Sequence, residues 1–180
     1  RAPFQNRAKG IISPYDTHFI RHSQAIGWDW RLMAAQCYQE SGFDPEAVSW
    51  AGARGLMQIM PGTATHTVSM FSIPGYSGPS QLLDPETNIN IGTSYLQYVY
   101  QQFGNNRIYA SAAYNAGPGR VRTWQGNSAG RIDAVAFVES IPFSETRGYV
   151  KNVLSYDAYY RYFMGQQDKI LSDAEWRQRY

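Results

Sequence analysis

With 180 residues, the chain has the length of a single domain. Hydrophobic residues make up 43%, enough for one core, while charged residues reach only 17%, against about 25% in an ordinary soluble domain. The difference lies in 14 Tyr, 8 Phe and 5 Trp, which exclude intrinsic disorder; a net charge of +2 excludes a binder steered by nucleic-acid phosphates.

Helices follow one another along the chain, with one Gly-rich interruption. Ser13-Pro14 reads as an N-cap followed by Pro at N1, with Phe19, Ile20, Ser23 and Ile26 at helical spacing until Gly27. Asp29 caps a second helix from Trp30 to about Ser41, closed by Gly42. Residues 42–62 are rich in Gly and Pro, and the run Leu56-Met57-Gln58-Ile59-Met60 within them reads as a β-hairpin arm. Asp84-Pro85-Glu86 starts a helix whose stripe is Ile89, Gly92, Tyr95, Leu96, Val99 and Phe103, ended by Gly104. Asn106 caps a helix over Ile108 to Asn115, broken by Gly117-Pro118-Gly119; another turn begins at Arg120 to Trp124. Asp133 to Glu139 is a short helix. Ser144-Glu145 opens the last long one, with Tyr149, Val150, Val153, Leu154, Tyr160, Phe163 and Met164 apolar before Gly165. The polar tail beyond Gln166 has Trp176 and Tyr180 as anchors. The pattern predicts one mainly α domain over 1–180, with a small β-hairpin or Gly-rich insert and peripheral tails at 1–12 and 166–180.

A single cysteine, Cys37, rules out an intrachain disulfide framework and a Cys-rich zinc site, and reads as a small buried hydrophobe. No apolar run approaches the ~18 residues of a spanning helix. Without a signal-peptide pattern, the chain reads as cytosolic or as a mature or excised piece.

Among chemistry-bearing residues, Glu40 stands out. It follows Met33, Gln36 and Cys37 at helical spacing, so its carboxyl lies at the edge of a largely apolar face in the last turn of its helix. Desolvation and the negative end of the dipole both favour the protonated form, which suits a general acid. The competing reading is a surface Glu before a helix stop. His18 and His22 are four apart but have no evident third ligand, and read as a solvated helix face rather than a metal site. Gly117-Pro118-Gly119 lacks the Lys and Ser/Thr of a phosphate loop. The Tyr stripes of the last two long helices read as core, with stacking on sugar faces as the alternative.

Four segments, taken together, resemble the goose-lysozyme-like lytic transglycosylases. They are Gln39-Glu40-Ser41-Gly42-Phe43-Asp44-Pro45, Gly52-Ala53-Arg54-Gly55-Leu56-Met57-Gln58-Ile59-Met60-Pro61, Asp84-Pro85-Glu86-Thr87-Asn88-Ile89 and Ala113-Tyr114-Asn115-Ala116-Gly117-Pro118-Gly119. From about Met57 onward the chain is similar to catalytic domains of the soluble periplasmic branch. Ile12-Ser13-Pro14-Tyr15 and Trp28 to Gln36 resemble the membrane-bound branch instead, as in a mosaic or engineered chain.

The resemblance implies a lysozyme-like helical fold and cleavage of the β-1,4 bond between N-acetylmuramic acid and N-acetylglucosamine, leaving a 1,6-anhydromuramoyl end. It implies Glu40 as the single acid and base, Ser49 as a hydrogen-bonding partner of the N-acetyl group, and Tyr114 as a hydroxyl near both. Gln58, Met60, Asn115 and Glu145 match substrate-binding positions, although Gln58 and Glu145 read equally as hairpin and helix-cap structure. Trp50 stands where soluble relatives carry proline. No cofactor and no metal is expected. The expected partner is a peptidoglycan glycan strand, met by a monomer in the periplasm, with no nucleic acid and no transmembrane segment. A hydrolytic goose-type lysozyme and a catalytically silent glycan-binding module remain as alternatives.

Overall fold

The computed structural model describes residues 15–26, 29–163, 165–166 and 169–180. The features expected at residues 1–12, Ser13-Pro14, Gly27, Trp28 and Met164 lie outside them. The chain forms two compact units, one ending at Gln97 and the other beginning at Tyr98.

In the first unit, α1 (Asp16–Ile26) packs on α2 (Trp30–Ser41). The expected caps of α2 are both present: the Asp29 carboxylate accepts from the Arg31 N–H at 3.0 Å, and Gly42 closes the helix at φ 62°. A third helix, α3 (Pro61–Phe71), was not legible in the pattern. It is rich in Thr and Ser, and only Ala64 and Thr67 are buried, so it shows no apolar stripe. A 3₁₀ turn at Pro79–Leu83 leads into α4 (Pro85–Gln102), within which the boundary between the units falls. Asp84 caps α4 by accepting from the Thr87 N–H at 3.0 Å.

In the second unit, α5 (Arg107–Ala116) packs on both α6 (Pro118–Ser128) and α8 (Ser144–Phe163), and α7 (Ala134–Ser140) packs on α8. Gly117 ends α5 and Pro118 immediately starts α6, so the Gly-Pro-Gly segment is a helix junction. The core of this unit holds Ile108, Tyr109, Phe137, Ile141, Tyr149, Val150 and Val153. Each such side chain contributes about 1.5–3 kcal/mol through burial.

The segment after α8 is held by Tyr180, which is 1% exposed, whereas Trp176 is 60% exposed. The Tyr180 ring stacks on Phe137 with centroids 5.6 Å apart and lies 5.1 Å from that of Tyr109. Its backbone N–H and C=O pair with Ile132 at 2.7 and 3.2 Å. Burial pushes its phenol pKa up to about 12. A short α9 (Asp173–Arg177) is opened by a Ser172–Glu175 capping box.

Among the described residues there are no strands. The expected hairpin arm at Leu56–Met60 is instead a turn, flanked by two isolated bridges, Val48 with Arg54 and Arg54 with Ile59. Gln58 is left-handed at φ 49°, which no strand residue tolerates, and this breaks the pairing. The protein is mainly α.

Candidate active site

In the first unit, α2 carries Glu40. Leu32 to Cys37 are all buried, so the helix is anchored along its middle, and Glu40 lies half-buried one turn later. The N–H of Gly42 donates to the Tyr38 carbonyl at 2.9 Å, ending the helix just beyond Glu40. Phe43 follows, also left-handed at φ 67°, its ring 5.4 Å from that of Tyr38. A non-glycine residue there costs about 1–2 kcal/mol, here offset by burying the ring. The adjacent Ser41 hydroxyl donates to the Leu56 carbonyl at 2.7 Å, so the end of α2 is tied directly to the Gly-rich loop.

That loop carries Ser49, Gln58 and Met60. The Ser49 hydroxyl accepts from the Ala53 N–H at 2.9 Å, which leaves its own proton to donate. The Ser49 and Ala53 backbones also pair at 2.9 Å, fixing a turn on which Trp50 is fully exposed. Gln58 spends both amide protons on the carbonyls of Ala47 (3.0 Å) and Gly55 (2.9 Å). It therefore builds the loop, and only its amide oxygen remains for a ligand. Met60 is 42% exposed, at the start of α3.

Asn88, on α4, holds the middle of the loop. Its side chain is fully buried. Its oxygen accepts from the Met57 N–H at 2.8 Å, and its amide donates to the carbonyls of Arg54 (2.9 Å) and Leu82 (2.8 Å). Gly55 makes this approach possible, because a Cβ there would stand 2.1 Å from the Leu82 oxygen and 2.3 Å from the Asn88 nitrogen. Neither Ser41 nor Asn88 figured among the residues expected to serve the site. The signal for Asn88 is a polar residue on the buried stripe of α4, beside Ile89 and one turn before Gly92.

In the second unit, Tyr114 is half-buried in the last turn of α5. The side-chain oxygen of its neighbour Asn115 accepts from the Thr146 hydroxyl at 2.7 Å. Thr146 lies in the first turn of α8 beside the exposed Glu145, so the end of α5 and the start of α8 are brought together.

His18 and His22 do not form a solvated face. The Glu86 carboxylate meets His18 Nδ1 at 2.5 Å, His22 Nε2 at 3.1 Å and the Arg21 guanidinium, clamping α1 to the start of α4. Burial lowers the His22 pKa despite its bond to Glu86. Burial alone would raise the pKa of Glu86, but the bond to His22 and the charge of Arg21 hold it below the usual range. Among the described residues, no group of three His, Cys, Asp or Glu is arranged to hold a metal ion, and no helix is long and apolar enough to cross a membrane. Of the tyrosine stripes, Tyr149 and Tyr160 are buried, whereas Tyr159 and Tyr162 are exposed.

Residues 17–137 match the family model described as the transglycosylase SLT domain, and residues 140–168 match that of the soluble lytic transglycosylase helical domain. The soluble lytic murein transglycosylase of Escherichia coli K12 is 82% identical over 92% of this chain, which takes in most of its N-terminal third. Among solved structures, a complex of the 70-kDa soluble lytic transglycosylase with bulgecin A superposes on 93% of the chain, with a TM-score of 0.91 and 71% identity. An inactive mutant of the lytic transglycosylase Slt from Pseudomonas aeruginosa, with glutamine in place of one glutamate, matches 91% with a TM-score of 0.85 and 42% identity. The chain spans 26% of the E. coli relative and 27% and 26% of the two structures.

Proposed function

The chain belongs to the transglycosylase SLT domain family, and on that basis we propose that it is a peptidoglycan lytic transglycosylase. It cleaves the β-1,4 bond between N-acetylmuramic acid and N-acetylglucosamine and leaves a 1,6-anhydromuramoyl end. The observation that carries this reading is the placement of Glu40, half-buried at the end of an otherwise buried helix whose next residue is bonded to the Gly-rich loop. The inactive P. aeruginosa relative, with one glutamate replaced, supports a glutamate as the acid.

In this mechanism protonated Glu40 delivers its proton to the glycosidic oxygen as the bond to the muramoyl C1 breaks. The 2-acetamido oxygen of the same sugar stabilises the developing cation, which is why one carboxyl suffices. The C6 hydroxyl then attacks C1, the Glu40 carboxylate takes its proton, and the acid is restored with no water consumed. The intramolecular attack has a high effective molarity and so outruns hydrolysis.

Ser49 donates its remaining proton to the N-acetyl group, and the Tyr114 hydroxyl serves as a second polar group toward the substrate. Gln58, through its oxygen, and Met60, Asn115 and Glu145 each bind the glycan. The family match runs from 17 to 137, through the boundary at Gln97, which supports one lysozyme-like catalytic domain over 1–180. It acts as a monomer in the periplasm, where its substrate lies, and takes bulgecin A as the 70-kDa relative does.

Digestion of purified sacculi by the protein and by Glu40→Gln, read by mass spectrometry, tests the assignment. Anhydro ends from the unmutated chain, and at least about a thousandfold fewer from Glu40→Gln, are expected. Reducing ends would mean hydrolysis, no products would mean binding alone, and undiminished cleavage by Glu40→Gln would remove Glu40 from the mechanism.

A further inference from the structure

We propose that Asn88 is a positioning residue for the transglycosylation, setting the register of the Gly-rich loop against the helix end that carries Glu40. The inference rests on the functional reading above. Its carrier is a continuous set of bonds within the first unit. The Ser41 hydroxyl, next to Glu40, holds the Leu56 carbonyl at 2.7 Å. One residue on, the Met57 N–H donates to Asn88 at 2.8 Å, and the Asn88 amide grips the Arg54 carbonyl at 2.9 Å.

That Arg54 carbonyl also accepts from the Ile59 N–H at 3.0 Å, and the Arg54 N–H donates to the Ile59 carbonyl at 3.0 Å. Gln58, between Met57 and Ile59, is bonded back to Ala47 and Gly55. Asn88 thus bonds, from outside the loop, both the base of its turn at Arg54 and the turn itself at Met57, while Ser41 holds Leu56 beside it. The third Asn88 bond, to Leu82 at 2.8 Å, fixes its own orientation and leaves both amide protons used.

No other side chain performs this task. Asp has the same shape but replaces a double donor by an acceptor facing two carbonyls. Ala removes the Asn88 bonds of the buried Met57 N–H and the Leu82 carbonyl and leaves the Arg54 carbonyl with its bond from Ile59, and Gln is one methylene too long for a fully buried site. Asn88 is buried, with its oxygen and both amide protons bonded within the protein. Its effect on the reaction passes through Ser49 and Gln58, whose loop it places, and through Ser41 beside Glu40.

Asn88→Asp supplies the test. Its buried carboxyl, flanked by the Arg54 and Leu82 carbonyls, resists ionisation; in acid it is neutral and donates one bond, and in base it repels both carbonyls. The variant and the unmutated chain are assayed for anhydro-end formation from pH 4.5 to 8, at a temperature where circular dichroism shows both folded. The expected result is a ratio of kcat, variant over unmutated, that falls on the order of tenfold from the acid to the alkaline limb.

A purely structural asparagine would lower the melting temperature and leave the ratio flat, and a flat ratio overturns the proposal. If Asn88→Asp does not fold, Ser41→Ala replaces it. A fall in kcat of about threefold, measured where both chains are folded, is then expected, and an unchanged kcat overturns the proposal. An unmutated chain that yields no anhydro ends at any pH overturns the functional reading, and the positioning role with it. An active unmutated chain beside an equally active variant overturns the positioning role alone.

Discussion

The two units solve one problem, fastening irregular chain to helices, by opposite electrostatic means. In the first, the neutral Asn88 amide holds the Gly-rich loop with two hydrogen bonds, steadied by a third to Leu82, and no charge. In the second, Arg107 holds the last segment by ion pairs. Its guanidinium donates to Asp157 at 2.7 Å, to Glu175 at 2.7 Å and to the Ile170 carbonyl at 2.9 Å, and Arg161 also meets Asp157. Asp157 is fully buried, and the Glu175 side chain is 8% exposed. A buried ionic tie is costly to break, because the partner left behind is a desolvated charge. A neutral tie is cheaper to break but indifferent to pH, which suits a loop that must keep its geometry wherever its acid works.

The largest expected effect comes from breaking the ionic tie. Arg107→Ala, measured by denaturant unfolding, should cost about 3–5 kcal/mol because it deprives two buried carboxylates of their shared cation, with Asp157 keeping its contact to Arg161. Gly55→Ala should cost about 2–4 kcal/mol, since its Cβ would overlap the Leu82 oxygen at a left-handed φ of 77°. Asn88→Ala should cost about 2–3 kcal/mol, which would place the neutral tie below the ionic one. A neutral tie stronger than the ionic one would reverse the comparison.

Acid sharpens it. Burial would raise the Glu175 pKa, but the bond and charge of Arg107 hold it below the usual carboxylate range. Its stabilisation is therefore present above the ordinary carboxylate pKa and lost as pH falls through the depressed folded value. Hydrogen exchange at acid pH should show contacts of the Glu175 segment weakening while the Met57 N–H, bonded to Asn88, stays protected. Glu175→Gln should flatten the acid limb of the melting curve. The smallest effect is expected at Glu86, which is 46% exposed. Glu86→Gln should cost under about 1 kcal/mol, as exposed ion pairs do.

The helices could be read where their ends carry chemistry. Asp29, Asp84, Asn106 and Asp133 cap through their side chains, and Gly42 through its left-handed backbone. Helix α3 escaped because it packs with so few buried residues that no period was visible. The apparent hairpin arm failed because alternation does not reveal a left-handed φ at a glutamine. In the candidate site, the half-buried place of Glu40 at the end of its helix was legible from helical spacing, and its candidate companions were named from resemblance. The Asn88 and Ser41 bonds were not, since they join positions 31 and 15 residues apart whose meeting depends on the fold. The histidines misled for the same reason, because their partner Glu86 is 64 residues away from His22.

The packing of Tyr180 against both Tyr109 and Phe137 has a consequence for how the protein is made. The first unit has the ties of its loop, down to Asn88, once α4 has been synthesised. The second lacks the aromatic centrepiece of its core until residue 180 clears the ribosome. During translation, therefore, the unit bearing Glu40 can complete its loop while Tyr109 and Phe137 still face an unfilled gap. A stalled chain shortened by the last few residues should show a protease-resistant first unit and a sensitive second one.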